Sequence, residues 1–311
     1  MRLIVDMSIS YGEILDYINT IPFETHFEGD SDVAIEGFCS LKNMRDNCIT
    51  WIKHTENIPS NCMQGIAYSL VVAPQKVLTT GSHISFIITD HPKAVFFSIL
   101  HHFFAPKIKP EIVGSSVVKT NMIGQNVSIG DLCFVDSKVN IGDNTVIENN
   151  VTIQGYVRIG KNCLIHSGVV IGTDGFGIYL SEEGVPQKVE HFGGVEICDN
   201  VEIGANTCID RGTIDNTYIG QNTKIDNLCH IAHNVHIGES CMLVAQSLVC
   251  GSAKLEDYCY LAPGSIIKNQ KLVGNNAFVG MGAVVTDDVP NNMIVAGVPA
   301  RVLREKREND I

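Results

Sequence analysis

The sequence predicts a mainly β protein: a three-sided parallel β-helix preceded by a small α/β unit. Three observations carry that reading. Ile, Val or Leu recurs at every sixth position over most of the last two-thirds of the 311 residues. The fourth residue after each such anchor is usually small or β-branched, as in Val127, Cys133, Thr145, Cys163, Thr207, Cys229 and Ala253. The first third lacks the period and reads instead as short strands flanked by two helical patterns.

In chain order, Ser10 and Glu13 have the spacing of a capping box, and Ile14, Leu15 and Ile18 form one apolar helix face. Strand-like runs follow at Ile49–Ile52, Tyr68–Ala73 and Ile84–Thr89. A second helix is expected from Pro92, with Val95, Phe96, Ile99, Leu100 and Phe103 at helical spacing. Pro106 and Pro110 mark a linker, so residues 1–110 form one domain. A separate unit ahead of a coil is read as a recognition module or a folding cap. Trp51, the single tryptophan, fits a stacking platform for a base or an ordinary core position.

The coil is expected over 111–290. Its anchors run from Val117 to Ile171, resume at Ile197, shift phase by four residues after Ile209, and continue from Ile219 to Val285. A period of six is neither helical nor simply alternating; it fits short strands joined at three corners per turn, about eight coils in all. Gly follows many anchors (Gly130, Gly142, Gly160, Gly238), which reads as tolerance of the backbone angles of a corner. The repeat breaks at 173–194 and again at Asp210–Thr217. Loops leaving a compact coil are usually functional. Residues 291–311 read as a short C-terminal tail.

Composition narrows the function. With 22 Lys and Arg against 34 Asp and Glu, the net charge is −12 and the pI near 5.3. That balance argues against nucleic acid or an anionic membrane as partner. No apolar run has the length of a membrane span, and the N-terminus lacks a signal-peptide pattern, so a cytoplasmic protein is expected. The eleven cysteines include no CxxC pair, and five (Cys133, Cys163, Cys229, Cys241, Cys259) fill the small interior slot. They read as small hydrophobes in a reducing compartment, with no resident metal.

The chemistry points to a histidine cluster. His230, His233 and His236 sit in KIDNLCHIAHNVHIG, with Asp226 just upstream. A histidine near a carboxylate is a natural general base, because its pKa lies near neutral and the carboxylate fixes its tautomer. The alternatives are surface histidines without a role, or a zinc site assembled from several subunits.

The stretches IGTDGFG, GGVEICDNVEIGANTCIDRGTIDNTYIG and KIDNLCHIAHNVHIG closely resemble the UDP-3-O-acylglucosamine N-acyltransferases, a family of hexapeptide-repeat acyltransferases. The match is strong from about Ile165 to Ile237 and looser over residues 1–110, through ITWI, SLVVAP and HPKAVFFSILHHF. The resemblance implies a left-handed β-helix and a homotrimer with sites between subunits. It also implies transfer of an acyl group, often 3-hydroxyacyl, from a thioester to a sugar amine. His233 falls on the family's base and Asp226 on its paired carboxylate. Asp174, Gly175, Phe176, Gly177 and His230 would line the sugar site, and Trp51 would meet the base.

Three departures from the family's pattern follow. KHTEN after Trp51 lacks the family's Tyr, Gln270 stands where the His of the family's closing Gly-His would fall in the stretch LAPGSIIKNQ, and the chain closes on AGVPARVLREKREND without a long helical extension. VGMGAVVTDDVP and that ending look like coenzyme A-dependent acetyltransferases. Gln270, Met281, Arg301 and Arg304 are therefore the expected acyl-donor contacts, with acyl-coenzyme A favoured as co-substrate over acyl carrier protein and no cofactor held permanently. The expected function is an N-acyltransferase acting on a nucleotide-linked amino sugar for a surface polysaccharide such as O-antigen. The lipid A enzyme itself, using acyl carrier protein, is the nearer alternative. A zinc trimer like the γ-carbonic anhydrases, or a non-catalytic scaffold, is the more distant one.

Overall fold

The computed structural model describes residues 8–30, 34–55, 63, 65–77, 83–105, 110–307 and 310. Pro106, Glu308 and the Glu56–Asn57 pair of KHTEN lie outside the described residues. The chain divides into two compact units, Met1–Lys107 and Ile108–Ile311.

In the first unit, β1 (Ile9–Ser10) leads into α1 (Tyr11–Ile18). The expected capping box closes the helix start: the Glu13 N–H donates to Ser10 Oγ and the Ser10 N–H donates to Glu13 Oε2. Then come β2 (His26–Glu28), β3 (Ala34–Ile35), β4 (Gly37–Phe38), β5 (Cys48–Trp51), β6 (Tyr68–Ala73), β7 (His83–Ile88) and α2 (Pro92–Phe104). The sheet runs β2-β7-β6-β5-β4, antiparallel only at β2. Leu70, Val72 and Ile87 pack under Val95, Phe96 and Ile99 of α2, while Val71, Ala73 and Phe86 fill a smaller core with Ile52 and Ile66. Trp51 closes β5, stacked on Phe96 with Phe97 edge-on, both at 6.3 Å between ring centres.

The second unit is a parallel β-helix. Among the described residues its three sheets hold nine, seven and ten strands; we call them the first, second and third faces. Each coil visits the third, first and second faces in turn, as at Ile225, Ile231 and Ile237. Val139 pairs with Val157, and Val157 with Val195 across the insertion. The anchors and the small slots point inward together: Ile231, Leu243 and Leu255 are essentially unexposed, as are Cys229, Cys241 and Cys259. Burial of one such anchor is worth roughly 1.5–3 kcal/mol. The first face counts nine coils, one more than the period predicts.

The corners correct one expectation. Left-handed backbone falls three residues after the anchor, not at the glycine one residue after it: Asn126, Leu132, Asn144, Asn162, Leu228, Asn234 and Gln270 all have φ between 54° and 60°. The glycine serves a different need, namely space. A Cβ on Gly142 would lie 2.6 Å from the backbone of Gly160 in the next coil, and one on Gly220 would lie 2.5 Å from Gly238. The corners stack too closely for a side chain there. Asn suits the left-handed position because it tolerates that conformation and its amide can ladder, as from Asn126 through Asn144 to Asn162.

What the sequence reads as a short tail is a closing hairpin. Met293–Ala296 adds parallel to Phe278–Val279 on the third face, and Arg301–Glu305 returns antiparallel to it. No helix among the described residues is long and apolar enough to cross a membrane.

These contacts separate two kinds of corner substitution. Leu132→Asn, at an exposed left-handed corner (φ 57°), is expected to raise stability by about 1 kcal/mol, since a branched residue is strained there. Gly142→Ala is expected to lower it by about 1–3 kcal/mol through backbone overlap. Thermal unfolding of the two variants checks this, and equal melting temperatures would contradict it.

Candidate active site

The site begins where the coil's register slips. On the first face, Ile171 pairs with Ile209, but Thr173 pairs with Asp210 and Asp174 with Arg211. Gly172, at φ 88°, is the extra residue. A bulge of this kind re-aims a strand. Here Val170–Asp174 and Cys208–Arg211 run on past the corner and carry both breaks in the repeat. The longer break folds as a hairpin, Ile178–Leu180 against Pro186–Lys188.

Asp174 ties this arm down. The Arg211 Nε–H donates to its Oδ1 at 2.6 Å, and the Lys188 ammonium and a second Arg211 nitrogen also meet it. Burial opposes its ionisation, but Lys188 and Arg211 together outweigh that and hold the carboxyl below its ordinary range. Asp174 is thus engaged within the chain as an anchor of the insertion. Gly175 and Gly177 make room. A Cβ on Gly175 would lie 2.6 Å from the His233 ring, and one on Gly177 would lie 3.0 Å from the His191 ring. Phe176 stands 87% exposed beside them at the groove.

His233 follows the strand His230–Ile231 at the corner between first and second faces. Its ring is held from three sides. Gly175 lies against one part of it, Gly251 of the next coil lies under its Cε1–Nε2 edge, and Asn234 holds Nδ1. Asn234 has a fixed orientation: its Oδ1 accepts from the Thr213 backbone N–H at 2.7 Å, so its Nδ2 donates to His233 Nδ1 at 3.1 Å. In this resting arrangement Nδ1 carries the lone pair and Nε2 the proton.

The carboxylate of the cluster is Asp210, only 6% exposed. Thr173 Oγ1 donates to its Oδ1 at 3.3 Å and His230 Nε2 lies 3.5 Å from its Oδ2. Burial raises the Asp210 carboxyl above its ordinary range, with His230 and Thr173 acting against the rise. His191, from the insertion, stands edge-on to His233 with ring centres 5.3 Å apart. Its Nδ1–H donates to the Val189 carbonyl, which leaves Nε2 as a buried acceptor with no partner among the described residues. Burial, with His191 and His230, pushes the His233 imidazole below its ordinary pKa, and Asp210 pulls the other way. His233 therefore rests neutral near pH 7. A groove of about 400 Å³ opens over it, lined also by Leu248, Cys250, Asn269 and Gln270.

This placement corrects the expected Asp226–His233 pair. Asp226 lies one corner away, between the third and first faces, in a separate groove with Glu148, His166 and Glu202. It works as a staple between coils, accepting the Asn227 N–H at 2.7 Å and the Ala245 N–H at 3.2 Å, much as Asp136 accepts from Ser137 and Gly155. Nor do the three histidines of the motif converge, because His236 stacks on Tyr218 on the second face. No group of three His, Cys, Asp or Glu side chains among the described residues is placed to hold a metal.

Of the expected donor contacts, Gln270 lines the His233 groove and occupies a left-handed corner. Met281 is exposed and follows the third face, away from that groove. Arg304 is held by both oxygens of Asp310 (2.6 and 2.7 Å), and Arg301 lies 3.6 Å from Asp287. Sequence reasoning missed Asp210, His191 and Asn234. Asp210 has a legible signal: it sits at the second break, directly after an anchor, as Asp226 does.

The electrostatics give a signed expectation. Asp210→Asn removes the one carboxylate found to favour the His233 imidazolium, so the His233 pKa should fall further. An NMR titration of the imidazole checks this; an upward shift would mean that the carboxylate and the ring are not coupled in this way.

The site can be set beside known proteins. The bacterial transferase hexapeptide model (six repeats) matches residues 138–173 and 216–251, and the hexapeptide repeat of succinyl-transferase matches residues 121–154. Over 133 residues the chain is 41% identical to the UDP-3-O-acylglucosamine N-acyltransferase of Delftia acidovorans, covering 43% of this chain and 39% of that one. Over 141 residues it is 45% identical to the enzyme of the same name from Methylobacterium nodulans, covering 45% and 40%. The match thus spans about two-fifths of the length of these curated relatives. Among solved structures, the UDP-N-acetylglucosamine acyltransferase of Bacteroides fragilis superposes with a TM-score of 0.57 at 26% identity, over 63% of this chain and 74% of that one. The Arabidopsis enzyme of that name gives 0.52 at 28% identity, over 63% and 74%. The resemblance expected from the motifs therefore holds: the chain is a hexapeptide-repeat protein with the left-handed β-helix fold, similar over its coil to the UDP-3-O-acylglucosamine N-acyltransferases.

Proposed function

We propose that the protein is an N-acyltransferase that moves an acyl group from a thioester to the amine of a nucleotide-linked amino sugar. The observation that carries this reading is the neutral, half-buried His233 beside the buried Asp210, at a groove roofed by the insertion. An amine attacks a thioester only as the free base, and it must lose a proton as the C–N bond forms. His233 takes that proton, the C–S bond breaks, and the imidazolium returns the proton to the departing thiolate. Asp210 stabilises the imidazolium in between without itself touching substrate.

Working as a base through Nε2 requires the proton to sit on Nδ1, whereas the Asn234 amide favours the opposite tautomer at rest. Substrate binding in the groove would supply that exchange. The sugar would lie between Phe176, His230 and His233. Taken by itself, the first unit carries a groove of about 680 Å³ lined by Lys53, His54, His91, Lys93 and Phe97, with Trp51 packed behind Phe97, an aromatic surface of the kind on which a base stacks.

A homotrimer is supported by the outward rows of the coil. Leu248, Ile266 and Val284 form an apolar row on the first face, and Met242, Tyr260 and Phe278 form one on the third. The second face carries Arg158, Glu196, His236 and Lys254 instead. Two apolar faces and one charged face suit copies packed around an axis with the charged face outward. The donor is best written as an acyl thioester, since Arg304 and Arg301, read from sequence as contacts for coenzyme A, are ion-paired within the chain. Both lipid A and another surface polysaccharide fit such a product, and a cytoplasmic site of action follows from both substrates.

Two variants test this reading. His233→Ala should cut acyl transfer to a UDP- or dTDP-amino sugar by about 10²–10⁴-fold; a parent-like rate would refute the assigned base. The same assay with the acyl group on coenzyme A or on carrier protein identifies the donor. Asn234→Asp should keep the Thr213 hydrogen bond while accepting from a His233 Nδ1–H. The apparent pKa of the acid limb of kcat/KM should then rise, with activity retained at its optimum. Loss of activity as severe as that of His233→Ala would contradict the tautomer argument.

A further inference from the structure

The first unit holds a pair of thiols that the acyl-transfer chemistry does not use. Gly37 of β4 pairs with Cys48 of β5, and the Cys39 N–H donates to the Ile49 carbonyl at 3.1 Å as the two chains run on side by side. Side chains alternate along a strand. Cys39 therefore falls on the same side as Gly37, diagonally across from Cys48, with no side chain on Gly37 to separate them. The two thiols are close enough for each to perturb the other's ionisation. Arg45 reaches over the pair, its Nε–H donating to Cys48 Sγ at 3.1 Å. Arg45 is exposed and Cys39 half-buried, so the pair lies one guanidinium below the surface, although Cys48 itself is only 4% exposed.

We propose that Cys39 and Cys48 form a redox-active thiol pair, in which Arg45 holds Cys48 as the attacking thiolate and a peroxide oxidises the pair to a disulfide. The Cys48 thiolate attacks one peroxide oxygen; the O–O bond breaks, giving a sulfenic acid and hydroxide. The Cys39 thiol then displaces the sulfenic oxygen. An S–S bond forms, the S–O bond breaks, and the sulfenic hydroxyl leaves as water with the Cys39 proton. A dithiol reverses the reaction.

The charge environment agrees. The neighbouring Cys39 thiol first, and then Arg45, bring the Cys48 thiol down to about 6 against burial and the nearby Glu36, while Cys48 in turn raises Cys39. That division suits an attacking and a resolving thiol. The other neighbouring pair, Cys241 and Cys259, is sealed in the coil interior at 0% exposure with no guanidinium beside it.

The test uses the full, reduced chain treated with equimolar hydrogen peroxide, then alkylated, digested and mapped by mass. A Cys39–Cys48 cross-linked peptide should appear before any other thiol is oxidised and should vanish with dithiothreitol. In Cys39→Ser, dimedone should instead trap a sulfenic acid on Cys48. Arg45→Met should slow alkylation of Cys48 at pH 7 by at least about tenfold, since the thiolate fraction falls. Oxidation elsewhere first, no dimedone adduct on Cys48, or an Arg45→Met rate equal to the parent's would each overturn the proposal. None of these readouts depends on acyl transfer.

Discussion

The molecule depends on how closely one coil lies on the next. Backbone N–H groups donate straight up the stack, as from Asp226 to Leu243 and from Val244 to Leu261, so every coil must repeat the same path. That demand falls hardest at the corners, where the backbone of the next coil crowds the residue after the anchor at turns such as Gly142 and Gly220, and a left-handed residue turns the chain two residues later. Hydrophobic burial supplies the driving force, but steric fit at the corners fixes the register. Such a scaffold places a side chain on a given corner to within the tolerance of its hydrogen bonds.

Function enters where that regularity is given up. One extra residue at Gly172 carries two neighbouring strands past their corner, and the chain that leaves there folds back over Asp210 and His233. In a regular coil a carboxylate directly after the anchor stays at the surface and staples two turns, as Asp136 and Asp226 do. Asp210 holds the equivalent position, but the insertion buries it, and burial changes its chemistry. A carboxylate out of water seeks a proton or a cation, and the imidazoles of His230 and His233 are what it finds. His233 remains neutral because burial costs its charged form more than Asp210 returns.

The coil was legible in the sequence because a period of six imposed on inward positions leaves little else for the chain to do. The period alone places Ile171, Cys229 and Leu255 inside, where they are found. The capping box at Ser10 and the start of α2 at Pro92 were legible for the same local reasons. Two things were not. The function of the corner glycines depends on the coil above, so the left-handed position expected at Gly142 lies at Asn144 instead. The partner of His233 depends on which corner each carboxylate occupies. Asp226 is seven residues from His233 and Asp210 is twenty-three, yet a seven-residue step crosses to another face while the longer path returns to the adjacent coil. Proximity along the chain was the wrong guide, and counting coils would have served better.

The account stands on the sugar amine meeting His233 inside the groove roofed by the insertion. A crystal structure of the protein with a bound nucleotide-linked amino sugar tests this most directly. The account predicts the amine nitrogen within about 3 Å of the His233 imidazole, with Phe176 and His230 against the sugar. A sugar bound at another corner, or a His233 ring turned to bulk water with the amine beyond its reach, would contradict it.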